Sequence, residues 1–306
     1  MRKKSQLNPK YIPKSLTTSD LKKQVKSIRN QTDRPKVKSF ISKRSNWVKD
    51  FEKKYGIRIT NTDFISKHII KKQGIEEILK KGRGAYYSSG SRPNQTPHSW
   101  AYARLASVIL NGNAREIDND IWEKYRIVGK NNYDDIVNQF KPNLSPRQIF
   151  LLGSFGGTYW RPIYSAVTKK KYKNSHKKYP KSWWKNIPSS HLTTDFENYN
   201  KSINKYDVKV GTTLEYWESK SWINESHPYG WVQWYCDWTM GKRCEDDIRQ
   251  IKRWLGVAGE KGRFRRRLVN MIQKKGGVQS LHDYSISPSI RQTLQHWGYQ
   301  VNEDDF

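Results

Sequence analysis

The chain of 306 residues predicts a mainly α-helical protein, with two small helical domains and a basic N-terminal arm. Apolar residues recur at spacings of three and four through most of the sequence, which is typical of amphipathic helices. Capping signals precede several of these segments, as at Thr96-Pro97 and Ser287-Pro288. A hydrophobic content of 35% is enough for two modest cores, in which aromatic rings supply much of the buried area.

The basic arm is predicted at residues 1–60. A helix start at Ser19-Asp20 precedes Leu21 and Ile28, which share the apolar face of one short amphipathic helix. The remainder is expected to be extended or loosely helical. The first 81 residues carry about +16 of the formal net charge of +30, so the arm is expected to bind phosphates without reading sequence.

The first helical domain is predicted at residues 61–128. From Thr62 to Lys81 two short apolar stripes are separated by Gly74, a pattern that fits either an ordinary helical hairpin or a helix-turn-helix. A longer helix is expected from Pro97 to Leu110, with Asn111-Gly112 ending it.

A loop is predicted at residues 82–98, and it is the most chemically specific segment of the chain. Its glycines permit close backbone approach, and Thr96 is expected to cap a helix that starts at Pro97. Free amides at a helix start favour a bound phosphate. The alternative is a polar turn whose hydroxyls cap the flanking helices. The candidate phosphate-binding residues of this loop are Arg83, Ser88, Ser89, Ser91, Arg92, Asn94, Thr96 and His98.

Two motifs in this half of the chain carry a resemblance. They are Tyr11 to Leu16 (YIPKSL) and Lys81 to Ser107 (KGRGAYYSSGSRPNQTPHSWAYARLAS). On these motifs, residues 10–125 resemble an uncharacterised domain that recurs in large DNA viruses of eukaryotes and related mobile genomes. The resemblance implies a viral context and no established activity.

A linker is predicted at residues 129–144, and a tryptophan-rich helical domain at 145–306. Ser145 with Gln148 forms a capping box that begins the first helix of this domain, and Gly153 ends it. Most of the tryptophans fall where helical core residues are expected. Later helix starts are expected at a Thr212–Glu215 capping box, at Pro228, at Glu245–Asp247, at Arg263 and at Ser287-Pro288.

The second domain carries a resemblance of its own. Its matching motifs are Phe155-Gly156-Gly157, Tyr179 to Trp183 (YPKSW), His227 to Cys236 (HPYGWVQWYC), Arg249 to Trp254 (RQIKRW) and His296-Trp297. On these motifs, residues 145–300 resemble a second uncharacterised family, which is spread through bacteria, fungi and plants. Relative to the shorter bacterial form, residues 160–178 look like a basic and aromatic insertion.

Further candidate contacts lie in the second domain. Adjacent residues on a helix point in different directions, so one ring of the pair Trp183 and Trp184 is a candidate for stacking on a base. The helix from Arg263 is expected to turn its arginines outward. The candidate phosphate-binding cations of this domain are Lys242, Arg243, Arg263, Arg265, Arg266 and Arg267.

The charge of +30 and a pI near 10 predict a polyanionic partner, for which nucleic acid, DNA or RNA, is the first candidate. An anionic membrane is disfavoured, since no apolar helix face accompanies the basic stretches. Two cysteines and seven scattered histidines match no disulfide framework and no zinc spacing, so neither a metal nor a cofactor is expected. The N-terminus lacks the apolar segment of a secretory signal, which favours an intracellular or particle-packaged protein over a secreted one.

The leading hypothesis is therefore a nucleic-acid-binding protein that contacts the phosphate backbone largely without sequence specificity. An enzyme that acts on nucleic acid or nucleotides is the first alternative, and a virion structural or genome-packaging component is the second. The candidate acid–base residues for the enzyme hypothesis are Asp118, Asp237, Glu245, Asp246, Asp247, His98, His227 and His296.

Overall fold

A computed structural model describes residues 7–88 and 90–306 of the chain. The fold is mainly α-helical, as predicted, and its β structure within this part is one two-stranded sheet. No helix among the described residues combines the length and the apolar character needed to cross a membrane.

The chain divides into two compact units. Unit 1 comprises residues 1–135 with 243–245, and unit 2 comprises 136–242 with 246–306. The helices of unit 1 are α1 (Thr18–Arg29), α2 (Asn46–Tyr55), α3 (Thr62–His68), α4 (Lys72–Ser88), α5 (Pro97–Ile109), α6 (Asn113–Ile117) and α7 (Asn119–Tyr125). The division between the units falls inside the predicted linker, within α8 (Tyr133–Asn138). The exact domain boundaries given above remain predictions.

Close packing of α4 on α5 forms the centre of unit 1. A Cβ atom at Gly82 would lie 2.6 Å from the Ala101 Cα, so only glycine allows this approach. The predicted loop at 82–98 is therefore wrong in its first half, because α4 continues through Gly82 to Ser88. The predicted break at Gly74 is also wrong: Gly74 lies inside α4, where its missing side chain leaves room for Tyr125 and Ile70.

The segment predicted as a basic arm contains the expected short helix, but it packs into unit 1. It contains α1 and α2, and it buries Tyr11 and Phe51 in unit 1. The Gln24 side chain is also buried and donates to the carbonyls of Tyr11 (3.0 Å) and Ser91 (2.8 Å). Sequence reasoning missed this packing because the face that α1 buries is polar, at Gln24 and Ser27.

Unit 2 combines short helices, a small hairpin and long connecting loops. Its helices are α9 (Pro146–Leu151), α10 (Lys181–Trp184), α11 (Leu214–Ser219), α12 (Trp231–Thr239), α13 (Asp247–Val257), α14 (Arg263–Lys274) and α15 (Pro288–His296). The antiparallel strands β1 (Ile163–Ser165) and β2 (Lys170–Tyr172) lie within the segment predicted as an insertion.

Tryptophans form the core of unit 2, as predicted. Trp160, Trp234 and Trp254 are fully buried, and the indole N–H of Trp254 donates to the Trp297 carbonyl at 2.8 Å. The capping box at Ser145 and Gln148 is present, which confirms that helix start.

Two helix starts differ from the prediction. Thr213, rather than Thr212, caps α11, because its hydroxyl accepts from the Tyr216 N–H. Helix α12 begins at Trp231, since Gly230 before it has a left-handed φ of +83°.

Candidate functional site: an aromatic and basic cavity in unit 2

The described part of the predicted phosphate loop in unit 1 is occupied by internal hydrogen bonds. The Asn94 side chain accepts from the Val37 N–H at 2.7 Å and donates to the carbonyls of Val37 and Phe40. Thr96 and Ser99 form a reciprocal capping box at the start of α5, and this confirms the predicted cap. These polar groups therefore hold the loop to neighbouring backbone within unit 1.

The other candidates of that segment do not converge on one point. Arg83 is exposed on α4, and the Ser88 hydroxyl donates back to Gly84 of the same helix at 3.1 Å. Ser91 is buried, and exposed Arg92 donates from Nε to the Lys10 carbonyl at 3.1 Å. The ring of exposed His98 packs edge-on against Tyr102. Ser89 lies outside the described residues, and the phosphate site itself stays a prediction.

The carboxylates proposed for catalysis each hold structural partners. Buried Asp118 receives a bidentate pair from Arg104, at 2.6 and 2.9 Å, and Lys81 lies 3.2 Å away. Asp237 pairs with Lys242 at 2.7 Å and lies 3.4 Å from His227.

The remaining carboxylates follow the same pattern. Asp246 binds Arg249, Asp247 accepts from the Trp234 indole, and Glu245 accepts from Asn61. No cluster of three or more metal-ligating side chains is found in the part of the chain that the structure describes.

Helix α14 exposes most, though not all, of its predicted cations. Arg263, Arg266 and Arg267 are exposed. Arg265 faces inward, contrary to the prediction, because its guanidinium pairs with buried Asp305 at 2.5 Å and lies over the Tyr299 ring. The other two predicted cations, Lys242 and Arg243, precede α13. Lys242 pairs with Asp237. Arg243 is half-buried in unit 1, where its backbone lies against Gly56.

The two adjacent tryptophans of α10 are both half-buried. The Trp184 indole donates to the His176 carbonyl at 2.9 Å, and its ring packs edge-on against Phe150. Trp183 stacks on Tyr179 with an interplanar angle of 4°. Trp184 is thus engaged with the core of unit 2, while the stacking role proposed for this pair stays a prediction.

A large cavity of about 1210 Å³ lies wholly within unit 2. Its wall is built by the starts of α11, α12 and α14, the ends of α13 and α15, and the loops before β1 and α11. The volume is above the range of about 300–1,000 Å³ for typical small-molecule sites. This space is the candidate functional site.

Aromatic rings dominate the wall of the cavity. They belong to Phe155, Tyr159, Phe196, Tyr199, Tyr216, Trp217, Trp222, Tyr229, Trp231, Phe264 and Trp297. Two of them stay accessible: Trp222 is 40% exposed and Tyr216 is 43% exposed, and the two rings meet edge to face at 5.8 Å. The cavity therefore presents free aromatic surface at its mouth.

The charged residues on the wall are all cationic. They are Arg161, Lys209, Lys252, Arg253 and Arg263. None of these five forms an ion pair with a described carboxylate. Glu215 attracts Arg161 and Asp246 attracts Arg253, but neither carboxylate lies within ion-pair distance. The excess of positive charge beside an apolar wall favours an anionic ligand.

Arg253 is the most constrained of these cations. Its guanidinium lies over the rings of Trp222 and Trp297, 5.5 and 5.3 Å from their centroids. Burial, with the nearby charge of Arg249, lowers the pKa of Arg253 to about 10. Burial likewise lowers the pKa of Arg161, which donates to the Thr158 carbonyl. Both guanidinium groups stay charged at neutral pH, so each is a partly desolvated cation on the wall of the cavity.

His296 adds a neutral hydrogen-bonding group. Burial lowers its pKa to about 3, so the imidazole is uncharged at neutral pH. Its Nε2 accepts the Phe155 N–H at 3.1 Å, which leaves the ring proton on Nδ1. The ring stacks on Phe155 at 3.8 Å, and this contact fixes its orientation.

The start of α14 lies on the wall of the cavity through Arg263 and Phe264. Gly262 before it provides no side-chain cap, so the first amides of the helix are not capped by a side chain. A second, smaller groove of about 380 Å³ continues from Arg263 along the exposed face of α14.

Sequence reasoning named Arg263 of these wall cations and missed the cavity. Arg161 lies in the insertion noted for its basic and aromatic character, and Lys252 and Arg253 lie in a tryptophan-rich motif. Those compositions are weak signals, because the wall is assembled from segments between residues 155 and 297 that meet only in the fold.

Comparison with known proteins gives one match. Residues 10–124 match the model of a family of unknown function, DUF5824, so an uncharacterised domain is present in this part of the chain. No curated protein and no solved structure matches the sequence. The cavity lies outside the matched residues, and the second resemblance and the viral context stay predictions.

Proposed function

We propose that the protein binds nucleic acid, largely without sequence specificity, through phosphate contacts on the exposed face of α14. The observation that carries this proposal is the row Arg263, Arg266, Arg267 and Lys274, which lines the groove beside the large cavity. At 1.5 Å per residue the row extends about 16 Å, enough for several consecutive phosphates.

The placement of these charges is unfavourable for the helix itself. The first turn of α14 contains no acidic residue and holds Arg263, Arg265 and Arg266, although the positive end of a helix dipole favours anions. A solvated face that only maintains solubility has no reason to concentrate cations there. A phosphate at this point would interact favourably with the dipole, the uncapped amides and the arginines together.

Two further parts of this proposal rest on the sequence. A viral context is supported by the resemblance of residues 10–125, and an intracellular or particle-packaged location by the proposed partner, since nucleic acid is found there. Phosphate contacts are common to DNA and RNA, so the proposal covers both.

The test compares two triple variants that remove the same charge. Arg266→Gln/Arg267→Gln/Lys274→Gln neutralises the α14 face, and Lys177→Gln/Lys178→Gln/Lys185→Gln neutralises three exposed lysines elsewhere in unit 2. Affinity for a fluorescent oligonucleotide is measured over a range of salt concentrations. We expect the α14 variant to reduce the slope of log affinity against log salt by about 2 to 3, and the control to change it by less than about 1.

Equal effects of the two variants would contradict the proposal, because binding would then follow net charge alone. Circular dichroism and melting temperature show whether each variant is folded. The exposed positions are expected to change stability by no more than about 0.5 kcal/mol.

A further inference from the structure

The large cavity of unit 2 has the chemistry of a site for a whole nucleotide, and not only that of a surface that contacts the phosphate backbone. Its wall combines exposed rings at the mouth with five cations that form no ion pair with a described carboxylate. An uncharged aromatic ligand would leave these cations unpaired, and a simple anion would leave the rings exposed. A ligand that is both aromatic and anionic satisfies both groups.

The accessible rings are suited to stacking on a base. Trp222 and Tyr216 keep 40% and 43% of their surface exposed, and each belongs to the wall of the cavity. Base–aromatic stacking contributes about 1–3 kcal/mol per base and tolerates any sequence. Arg253 lies against the Trp222 ring and strengthens this platform through its charge.

Hydrogen-bond donors are also present among the wall residues. His296 carries its proton on Nδ1, and no partner for that N–H is found among the described residues. The Trp231 side chain is 7% exposed, and its buried indole N–H also lacks a partner in the described chain. A buried donor without a partner, such as the Trp231 indole N–H, is costly, so a ligand that offers acceptors is favoured.

The positions of the cations indicate where the phosphate of the ligand would bind. Arg263 belongs both to the wall of the cavity and to the groove along α14, and the uncapped start of that helix lies beside it. A phosphate at this junction would connect a base in the cavity to the next phosphates along α14.

We infer that the cavity takes one unstacked nucleotide of a single strand, with its base stacked on Trp222 or Tyr216 and its phosphate at the start of α14. This inference rests on the proposed function and names its substrate class. A paired and stacked base cannot present its faces to the rings, so single strands are bound in preference to duplexes.

Gly256 offers a direct way to close the cavity. It lies on the wall within α13, and a Cβ there would have no atom within 4 Å. Gly256→Phe is therefore expected to fill the mouth without disturbing the fold. Gly256→Ala is the control for the backbone change. Gly84→Phe, at an equally open helical glycine of unit 1, is the control for an added ring.

The experiment measures anisotropy of a labelled single strand and of the matched duplex with each full-length variant. We expect the unchanged protein to bind the single strand at least tenfold more tightly. Gly256→Phe should remove that preference, and both controls should keep it. A second measurement uses the unchanged protein with a strand of abasic sites, which should bind at least tenfold more weakly than the normal strand.

Equal affinity for normal and abasic strands would overturn the inference, as would an unaltered single-strand preference in a folded Gly256→Phe variant. If either occurs while the α14 triple variant still loses its salt-dependent binding, the proposal of phosphate-backbone binding by α14 is supported and the inference that the cavity binds a base is wrong. If the unchanged protein binds no oligonucleotide at all, both proposals fail. The abasic comparison needs no substitution, so it decides the question even if Gly256→Phe does not fold.

Discussion

The loop at residues 90–96 in unit 1 and the cavity in unit 2 both combine polar, cationic and aromatic residues, but they differ in where their polar groups are bound. In the loop, Asn94 and Thr96 bond to the protein itself. In the cavity, Arg253 and Arg161 form no ion pair with a described carboxylate, although Asp246 and Glu215 attract them from a longer distance, and rings at the mouth stay exposed. The loop has the features of a scaffold, and the cavity has those of a binding site.

This difference teaches that residue composition alone does not distinguish a binding site from a structural joint. A hydrogen bond made within the fold stabilises the fold, and its loss lowers the free energy of unfolding. A cation held without a partner costs the fold free energy and becomes favourable when an anion binds. Substitutions in the two regions should therefore separate stability from affinity.

The largest expected effect is on stability, from Asn94→Ala. This change removes three hydrogen bonds to Val37 and Phe40, and it places alanine at a left-handed φ of +59°. We expect unfolding to become easier by roughly 2–4 kcal/mol, with nucleic-acid affinity unchanged per folded molecule.

Chemical denaturation and titration of the same preparation test this expectation. Asn94→Gly removes the same hydrogen bonds, but glycine adopts the positive φ without strain. Its free energy of unfolding should therefore be up to about 1 kcal/mol higher than that of Asn94→Ala. Loss of affinity at unchanged stability would instead place the ligand at the loop.

The next largest effects are expected at two arginines of unit 2, one of which should affect affinity and the other stability. Arg253→Met removes a partly buried cation that forms no ion pair with a described carboxylate, so we expect unchanged or raised stability and an affinity for single strands about tenfold lower. Arg265→Met removes the partner of buried Asp305, so we expect a loss of roughly 2 kcal/mol in stability and unchanged affinity per folded molecule.

Melting temperature and binding of both variants, measured side by side, provide the comparison. If Arg253→Met destabilised the protein as much as Arg265→Met without weakening binding, the cavity would be structural too.

The smallest effect is expected from Arg92→Ala in the loop. Its Nε donates to the Lys10 carbonyl on an exposed surface, so the loss should be about 0.5–1 kcal/mol in stability, with no change in affinity. Binding weakened by roughly 1.5–3 kcal/mol at an unaltered melting temperature would revive the phosphate site predicted from the sequence.

Local signals predicted much of the fold. The caps at Thr96 and Ser145-Gln148 are in place, because capping depends on side chains within one turn of the helix start. Helix α15 begins at Pro288 as predicted, but the Ser287 side chain makes no capping hydrogen bond. Gly82 shows the limit of such signals. In the sequence it resembles a loop glycine, whereas its actual role is to let α5 approach α4.

The candidate site was less accessible to prediction. Arg263, Arg266 and Arg267 were identified because arginines cluster in sequence and the helix period places them on one face. Arg265 was assigned to the same face wrongly: the helix period turns it away from Arg263 and Arg267, and its pairing with Asp305, 40 residues away, holds it inward. A distant ion pair leaves no trace in local spacing.

The sequence by itself determined the helical class of this protein, its tryptophan-rich core and its excess of positive charge. These properties depend on composition and on residues within a few positions of one another. Only the tertiary structure decided which polar groups are bound internally and which face a cavity. The physical reason is that a hydrogen bond such as the one between Asn94 and Val37, and a cavity wall such as the one that includes Arg161 and Arg253, join residues far apart in the chain.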